Sequence, residues 1–302
     1  MILDRINGPK DLKTLSASER KELAQEIRQA MLKRASIHGG HFGPDFGIVE
    51  ATIALHTVFD SPKDKIVWDV SHQVYPHKIL TGRKQAYLEE EHYDDVSGYS
   101  NPAESEHDFF EVGHTSTSIS LASGLAMARD LQGGHENIIA VIGDGSMSGG
   151  EALEGLDTVG EMGTNMIIVL NDNQMSIAEV HGGMYKGFEE LRRTGGKSEH
   201  NLFRAMGLDY RFVADGNDSE ALIKVFREVK DIDHPVVVHI VTQKGKGYKF
   251  AEEDKESWHW HMPFDIETGE VKHPYVDEAA ELTATYLLDR MKTDKKLAGL
   301  TA

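Results

Sequence analysis

Apolar positions along the chain fall into two alternating patterns. Four short runs rich in β-branched residues, Lys65 to Val70, Ile138 to Ile142, Met166 to Leu170 and Pro235 to Thr242, are apolar at most positions. Strands covered on both faces have this character. Segments with helical spacing separate them, notably Ser118 to Leu131, Gly150 to Glu161 and Ser219 to Val229. A further helix is predicted over 16–34, where Ser16 and Glu19 make a capping box and Leu23, Ile27, Ala30 and Met31 share one face. Strand runs alternating with helices predict an α/β fold, a parallel sheet with helices on both faces.

In such a sheet ligands sit beyond the carboxyl ends of the strands. Polar or glycine residues gather there in all four cases: Asp69-Val70-Ser71-His72, Gly143-Asp144-Gly145, Asn171-Asp172-Asn173 and Lys244-Gly245-Lys246-Gly247. Asp144 directly follows its run, and Asn173 stands 29 positions further on, just past the next. The helix-length segment between them makes a right-handed crossover, which lets both side chains reach one point past the sheet edge. A carboxylate and an amide oxygen suit a hard cation such as Mg²⁺ that shares its sphere with phosphates. The glycines of Gly143-Asp144-Gly145 and Gly149-Gly150 let the backbone approach a phosphate, with a helix N-terminus behind them. Either piece alone reads more simply as a turn closing a strand; together they read as a metal and diphosphate site.

Composition narrows the partners. The 302 residues include 50 acids, 32 bases and no cysteine, for a net charge of −18. Nucleic acid and anionic membranes are disfavoured as partners, because no basic run offsets the repulsion. Disulfides, a thiolate nucleophile and cysteine-ligated metals are excluded. The start lacks the apolar segment of a signal peptide, and no stretch approaches the about 18 apolar residues of a membrane span. A soluble cytoplasmic protein is expected. Gly196-Lys197-Ser198 is not a P-loop, since Leu191 stands where the first glycine belongs, and neither a zincin helix nor a nucleophile elbow occurs.

The Gly143-Asp144-Gly145 and Asn171-Asp172-Asn173 pieces at this spacing form the thiamine-diphosphate signature, and other blocks stand around them in order. These are Gly39 to Gly43, Trp68 to Lys78, Ser105 to Asp108, Val112 to Ser118, Asn171 to Ile177 and Lys244 to Tyr248. From about Leu15 to Gly269 the chain thereby resembles the N-terminal half of the 1-deoxy-D-xylulose-5-phosphate synthase family, within the transketolase-like superfamily.

The resemblance implies that Asp144, Asn173 and the main-chain carbonyl of Met175 bind Mg²⁺, that Lys244 contacts the diphosphate of thiamine diphosphate, and that Ile177 lies under its thiazolium. It assigns further cofactor contacts to His72, Gly113, His114, Ser116, Gly143, Gly145 and Ser146. His41, His72 and His114 would face the reacting carbon, where imidazoles move protons and donate hydrogen bonds to developing alkoxides. Other histidines read differently. His77 is expected to be structural, and His259 and His261, alternating with Trp258 and Trp260, fit a partly buried strand or loop. Gly39-Gly40 reads as a close backbone approach and Glu89-Glu90-Glu91 as a solvated face.

The family's reaction joins a two-carbon unit, from decarboxylation of pyruvate, to D-glyceraldehyde 3-phosphate. The glutamate that activates the cofactor lies in a second, pyrimidine-binding domain. Residues 1–275 are therefore expected to form the diphosphate domain, and 276–302 a linker and the first helix of the missing one. That half would come from a longer protein or a partner subunit, in a homodimer or heterotetramer. Three departures from the family bear on acceptor binding and loop ordering: a shorter segment between Ile177 and Asn201, Asn217 in place of a histidine, and Asp45 in place of a small or amide residue. The competing expectations are a split transketolase-type subunit acting on ketose phosphates, a 2-oxo-acid dehydrogenase subunit and a non-catalytic cofactor-binding module. The Gly39 and Val112 blocks disfavour the dehydrogenase.

Overall fold

The computed structural model describes residues 1–273 and 277–299. Five parallel strands make its main sheet: β1 (Lys65–Trp68), β2 (Ile138–Gly143), β3 (Met166–Asp172), β4 (Asp209–Val213) and β5 (Pro235–Val241), in the order β1-β2-β3-β5-β4. Register sets Gly143 beside Asn171 and Asp172 beside Val241, so the carboxyl ends of β2, β3 and β5 are level. The principal helices are α1 (Ala17–His38), α2 (Val49–Val58), α3 (Ser118–Leu131), α4 (Gly150–Met162), α5 (Gly183–Arg193), α6 (Ser219–Val229) and α7 (Glu278–Thr293).

Alternate side chains of each strand bury on opposite faces. Ile66, Ile139, Val169 and Val238 pack with Leu55 of α2 and Phe226 of α6. Val67, Ala140, Ile168 and Val237 pack with Ala122 of α3, Leu156 of α4 and Phe188 of α5. This two-sided cover explains the continuous apolar runs in the sequence. Helix α1 lies in an outer cluster, starts on the expected Ser16–Glu19 capping box and buries Leu23, Ile27, Ala30 and Met31 as anticipated.

Three elements carry little signal in the sequence. All ten residues of α2 are buried, so it has no polar face to give it a helical period. Strand β4 lies at the sheet edge and reads Asp-Tyr-Arg-Phe-Val, half polar. Helix α5 contains Gly183 and Gly187 and buries only Phe188 and Leu191. The last helix, α7, forms where the amphipathic pattern predicts, and buries none of its side chains; Leu282, Tyr286 and Leu287 are exposed. The expected boundary at 275/276 and the residues from Leu300 onward lie outside the described residues.

Candidate active site

The polar strand ends identified in the sequence converge. One cavity is lined by His72 beyond β1, by Gly143, Asp144, Gly145 and Ser146 at the end of β2, by Asn173, Met175 and Ile177 beyond β3, and by Lys244 beyond β5. These four strands are neighbours in the sheet, so topology alone gathers their ends. His41 joins them from the other side of the sequence. Its two-residue strand, Gly40–His41, pairs antiparallel with Trp260–His261, and both Gly39 and Gly40 adopt positive φ. A Cβ on Gly39 would stand 2.9 Å from the His261 carbonyl oxygen, which is the close approach expected of these glycines.

The turn beyond β1 is strained. Val70 (φ 58°) and Ser71 (φ 61°) are left-handed, a rare conformation for a β-branched residue, and they redirect the chain so that His72 enters the cavity. Asp69, just before them, accepts hydrogen bonds from the N–H groups of Ser116 and Ser118, both at 2.9 Å, and so fixes the start of α3.

At the end of β2 the buried Asp144 carboxylate accepts the Gly145 N–H at 2.9 Å and the Gln174 N–H at 2.6 Å. Asn173 accepts the Met175 N–H at 3.0 Å. Burial pushes the Asp144 carboxyl well above its ordinary range, and the charge of Asp172 adds to the effect. A divalent cation here would relieve both. Asp144, Asn173 and Met175 line this corner, and a carboxylate, an amide oxygen and a main-chain carbonyl are oxygens that a hard cation takes, so the residues fit Mg²⁺. The glycine turn is pressed against the following loop: a Cβ on Gly145 would lie 2.8 Å from that of Ser176. Lys244 Nζ donates to the carbonyls of Ser176 (2.7 Å) and Ile177 (3.2 Å), and burial draws the amine down to about 8. A buried ammonium beside the glycine turn suits a diphosphate.

Three imidazoles face the cavity together. The rings of His41 and His72 are 4.9 Å apart, those of His41 and His259 5.8 Å, and those of His72 and His259 5.5 Å. Burial lowers His41 and His259 to about 4 and His72 well below its ordinary value, so all three are neutral near pH 7. His259, expected in a strand or loop, does lie beside the short strand Trp260–His261 but also lines the cavity. Its partner in that pairing is more than two hundred residues away, and the local alternation with tryptophan carries no trace of it. Gln73, Asn171 and Ser176 also line the cavity, without having been singled out from the sequence.

Gly113, His114 and Ser116 stand apart. Gly113 and His114 are exposed and outside the cavity lining, to which their neighbour Thr115 contributes. Ser116 is one step behind the wall: its hydroxyl donates to the Ser146 carbonyl at 2.7 Å. His77 is buried between His56 and Asp108, each at 2.9 Å, in the structural role expected. Asp45 and Asn217 are supports outside the lining. Asp45 accepts the Tyr75 N–H at 2.9 Å, and Asn217 bridges the Gly47 carbonyl and the Gln243 N–H.

Comparison with known proteins adds to this geometry. A family model described as 1-deoxy-D-xylulose-5-phosphate synthase matches residues 3–198 and 194–242, two pieces that meet inside the segment expected to be short. The 1-deoxy-D-xylulose-5-phosphate synthase of Halalkalibacterium halodurans is 40% identical over 340 residues, covering 100% of this chain and 54% of the relative. That of Geobacillus thermodenitrificans is 42% identical over 306 residues, covering 89% and 49%. The chain thus spans about half the length of the curated relatives it matches. Among solved structures, transketolases from Leishmania mexicana (TM-score 0.63, 18% identity, 92% of this chain and 48% of that one) and Campylobacter jejuni (0.62, 17%, 93% and 49%) share the fold. By its family match, the chain belongs to the 1-deoxy-D-xylulose-5-phosphate synthase family.

Proposed function

We propose that this chain supplies the metal- and diphosphate-binding half of a thiamine-diphosphate-dependent synthase that joins pyruvate, with loss of carbon dioxide, to D-glyceraldehyde 3-phosphate, forming 1-deoxy-D-xylulose 5-phosphate. The observation that carries this reading is the meeting of Asp144, Asn173, Met175 and Lys244 with His41 and His72 in one cavity at the strand ends. Asp144, Asn173 and the Met175 carbonyl would hold Mg²⁺, and Lys244 would add a second positive charge for the diphosphate. Thiamine diphosphate, when bound, supplies the carbon nucleophile and the electron sink that a 2-oxo acid needs to lose carbon dioxide. The protein's own part is to orient, to exclude water and to move protons.

His41 and His72, neutral at working pH, donate hydrogen bonds to oxygens where negative charge develops and exchange protons with them. Ile177 offers an apolar surface at the cavity wall, and Gly113, His114 and Ser116, outside the lining in the chain by itself, contact the cofactor once the pyrimidine-binding half packs against their loop. The activating glutamate comes from a pyrimidine-binding half, in the same longer protein or in a partner subunit of a dimeric or heterotetrameric assembly in the cytoplasm.

Calorimetric titration with thiamine diphosphate tests the first part. Binding is expected in Mg²⁺ and not in EDTA; absence of binding in Mg²⁺ refutes the reading. The chain is then mixed with the pyrimidine-binding half of a relative. Carbon dioxide release from labelled pyruvate that depends on D-glyceraldehyde 3-phosphate supports the synthase. Ketol transfer from a ketose phosphate without that release identifies a transketolase-type subunit instead, and cofactor binding with neither reaction a non-catalytic module.

A further inference from the structure

Asp172 stands between the two motif residues that face the cavity, yet its own carboxylate is fully buried and outside the lining. Its surroundings are highly ordered. One oxygen accepts the Gln174 N–H at 3.2 Å, and the other meets His239 Nε2 at 2.8 Å and the guanidinium of Arg192. The remaining nitrogen of His239 is bonded to the Tyr210 hydroxyl at 2.7 Å. A chain of side chains therefore runs from β4 through β5 to the end of β3, and α5 joins it through Arg192.

What this chain holds is the turn that carries the metal donors. Gln174 is left-handed (φ 65°), and its single N–H is shared between Asp172 and Asp144, the latter at 2.6 Å. Any displacement of Asp172 therefore moves the Gln174 peptide, and with it the orientation of Asp144 and the placement of Met175, the next residue. Two buried carboxylates gathered on one turn also repel, and the compensating cation comes from Arg192 on the far side. Helix α5, the one helix of the short 178–200 segment, thus has a definite task. Its Phe188 and Leu191 anchor it in the core so that Arg192 reaches the turn.

We propose that Arg192 and His239 are positioning residues for the metal corner: they immobilise Asp172, which fixes the Gln174 turn and so sets the geometry of Asp144 and the Met175 carbonyl. The inference deepens the metal-and-diphosphate reading and rests on it. Partners one step behind metal ligands are worth about 10- to 100-fold in metal affinity.

The test is Mn²⁺ binding in the presence of thiamine diphosphate, followed by electron paramagnetic resonance on the whole chain. If the unaltered protein binds no Mn²⁺, the underlying reading fails, whatever the variants do. If it binds, Arg192→Leu is expected to weaken Mn²⁺ about 10-fold or more, with partial recovery in Arg192→Lys, which restores the charge. Arg193→Leu, at the exposed neighbouring position, is expected to bind as the unaltered protein does. Should Arg192→Leu not fold, Tyr210→Phe removes only the hydroxyl at the far end of the chain, and a weakening of about threefold is expected, below the range for a direct outer partner because Tyr210 acts one step further out, through His239. Folded Arg192→Leu, or failing that Tyr210→Phe, with unchanged Mn²⁺ affinity and spectrum overturns the proposal.

Discussion

Asp144, Asn173 and Lys244 lie within three residues of the ends of β2, β3 and β5, whereas Gly113 and His114 sit in the long connection between β1 and α3. The first group is buried and shares one cavity; the second is exposed and outside it. The difference lies in what fixes each position. A strand end is held by the ladder on both sides, so a residue just beyond it has few places to go. A loop residue is held by whatever side chains happen to pin it, here the two N–H bonds to Asp69 that secure Ser116 and Ser118 but leave Gly113 and His114 outside the wall. Cofactor affinity in the chain by itself should therefore rest on strand-end residues.

The largest expected effect is at Asp144. Asp144→Ala removes a proposed metal ligand, and Mg²⁺-dependent affinity for thiamine diphosphate should fall by about 100-fold or more, a loss of several kcal/mol. The same change deletes a buried carboxyl whose charged form is disfavoured, so the metal-free melting temperature should not fall in parallel. Calorimetry beside thermal melts checks both. Retained affinity would mean the metal sits elsewhere and the strand-end corner is not the anchor.

Lys244→Met should cost less, about 10- to 100-fold in diphosphate affinity, the range for a charge-assisted hydrogen bond. Because Lys244 also ties the Ser176 and Ile177 carbonyls, the variant should become more protease-sensitive in that loop. An affinity drop of less than twofold would reduce Lys244 to that tie.

The histidine cluster gives a pH dependence. His41 and His259 ordinarily titrate near 6.5 and are lowered to about 4 by burial. Between those values the unfolded chain binds more protons than the folded one, so stability should decline as pH falls from about 6.5 toward 4. His41→Gln should flatten part of that slope in melts recorded across the window; an unchanged slope would show that His41 protonates alike in the folded and unfolded chain, as a solvated imidazole does.

Much of this was legible in the sequence because the parallel sheet converts position along the chain into position in space. The runs Ile138 to Ile142, Met166 to Leu170 and Pro235 to Thr242 name their own strands, and polar residues at their ends name the cavity edge. His259 was not legible, since it reaches the cavity by pairing of its loop with Gly40–His41, a contact between distant segments of no repeating pattern. Nor were Arg192 and His239, whose meaning depends on sharing Asp172 across α5 and β5. Helix α2 hid for a simpler reason: it is buried all round, so its polar residues Glu50, Thr52, His56 and Thr57 mark no solvent face.

The smallest expected effect is at His114, and it bears most directly on the comparison. Its ring is exposed and its Nδ1 lies 2.8 Å from the neighbouring Thr115 carbonyl, so its truncation leaves no cavity and strands no buried partner. Exposed substitutions of this kind stay within about 0.5 kcal/mol, so His114→Ala should change cofactor affinity of the chain by no more than about twofold. Thr115 lies beside it in the lining, however, and His114 would meet the cofactor only if the loop closes further. The two cases separate in one measurement. A roughly tenfold loss in His114→Ala, in the same titration that reads Asp144→Ala, would show that the loop closes on the cofactor without help from another half, and that burial in the free chain understates what the loop residues do.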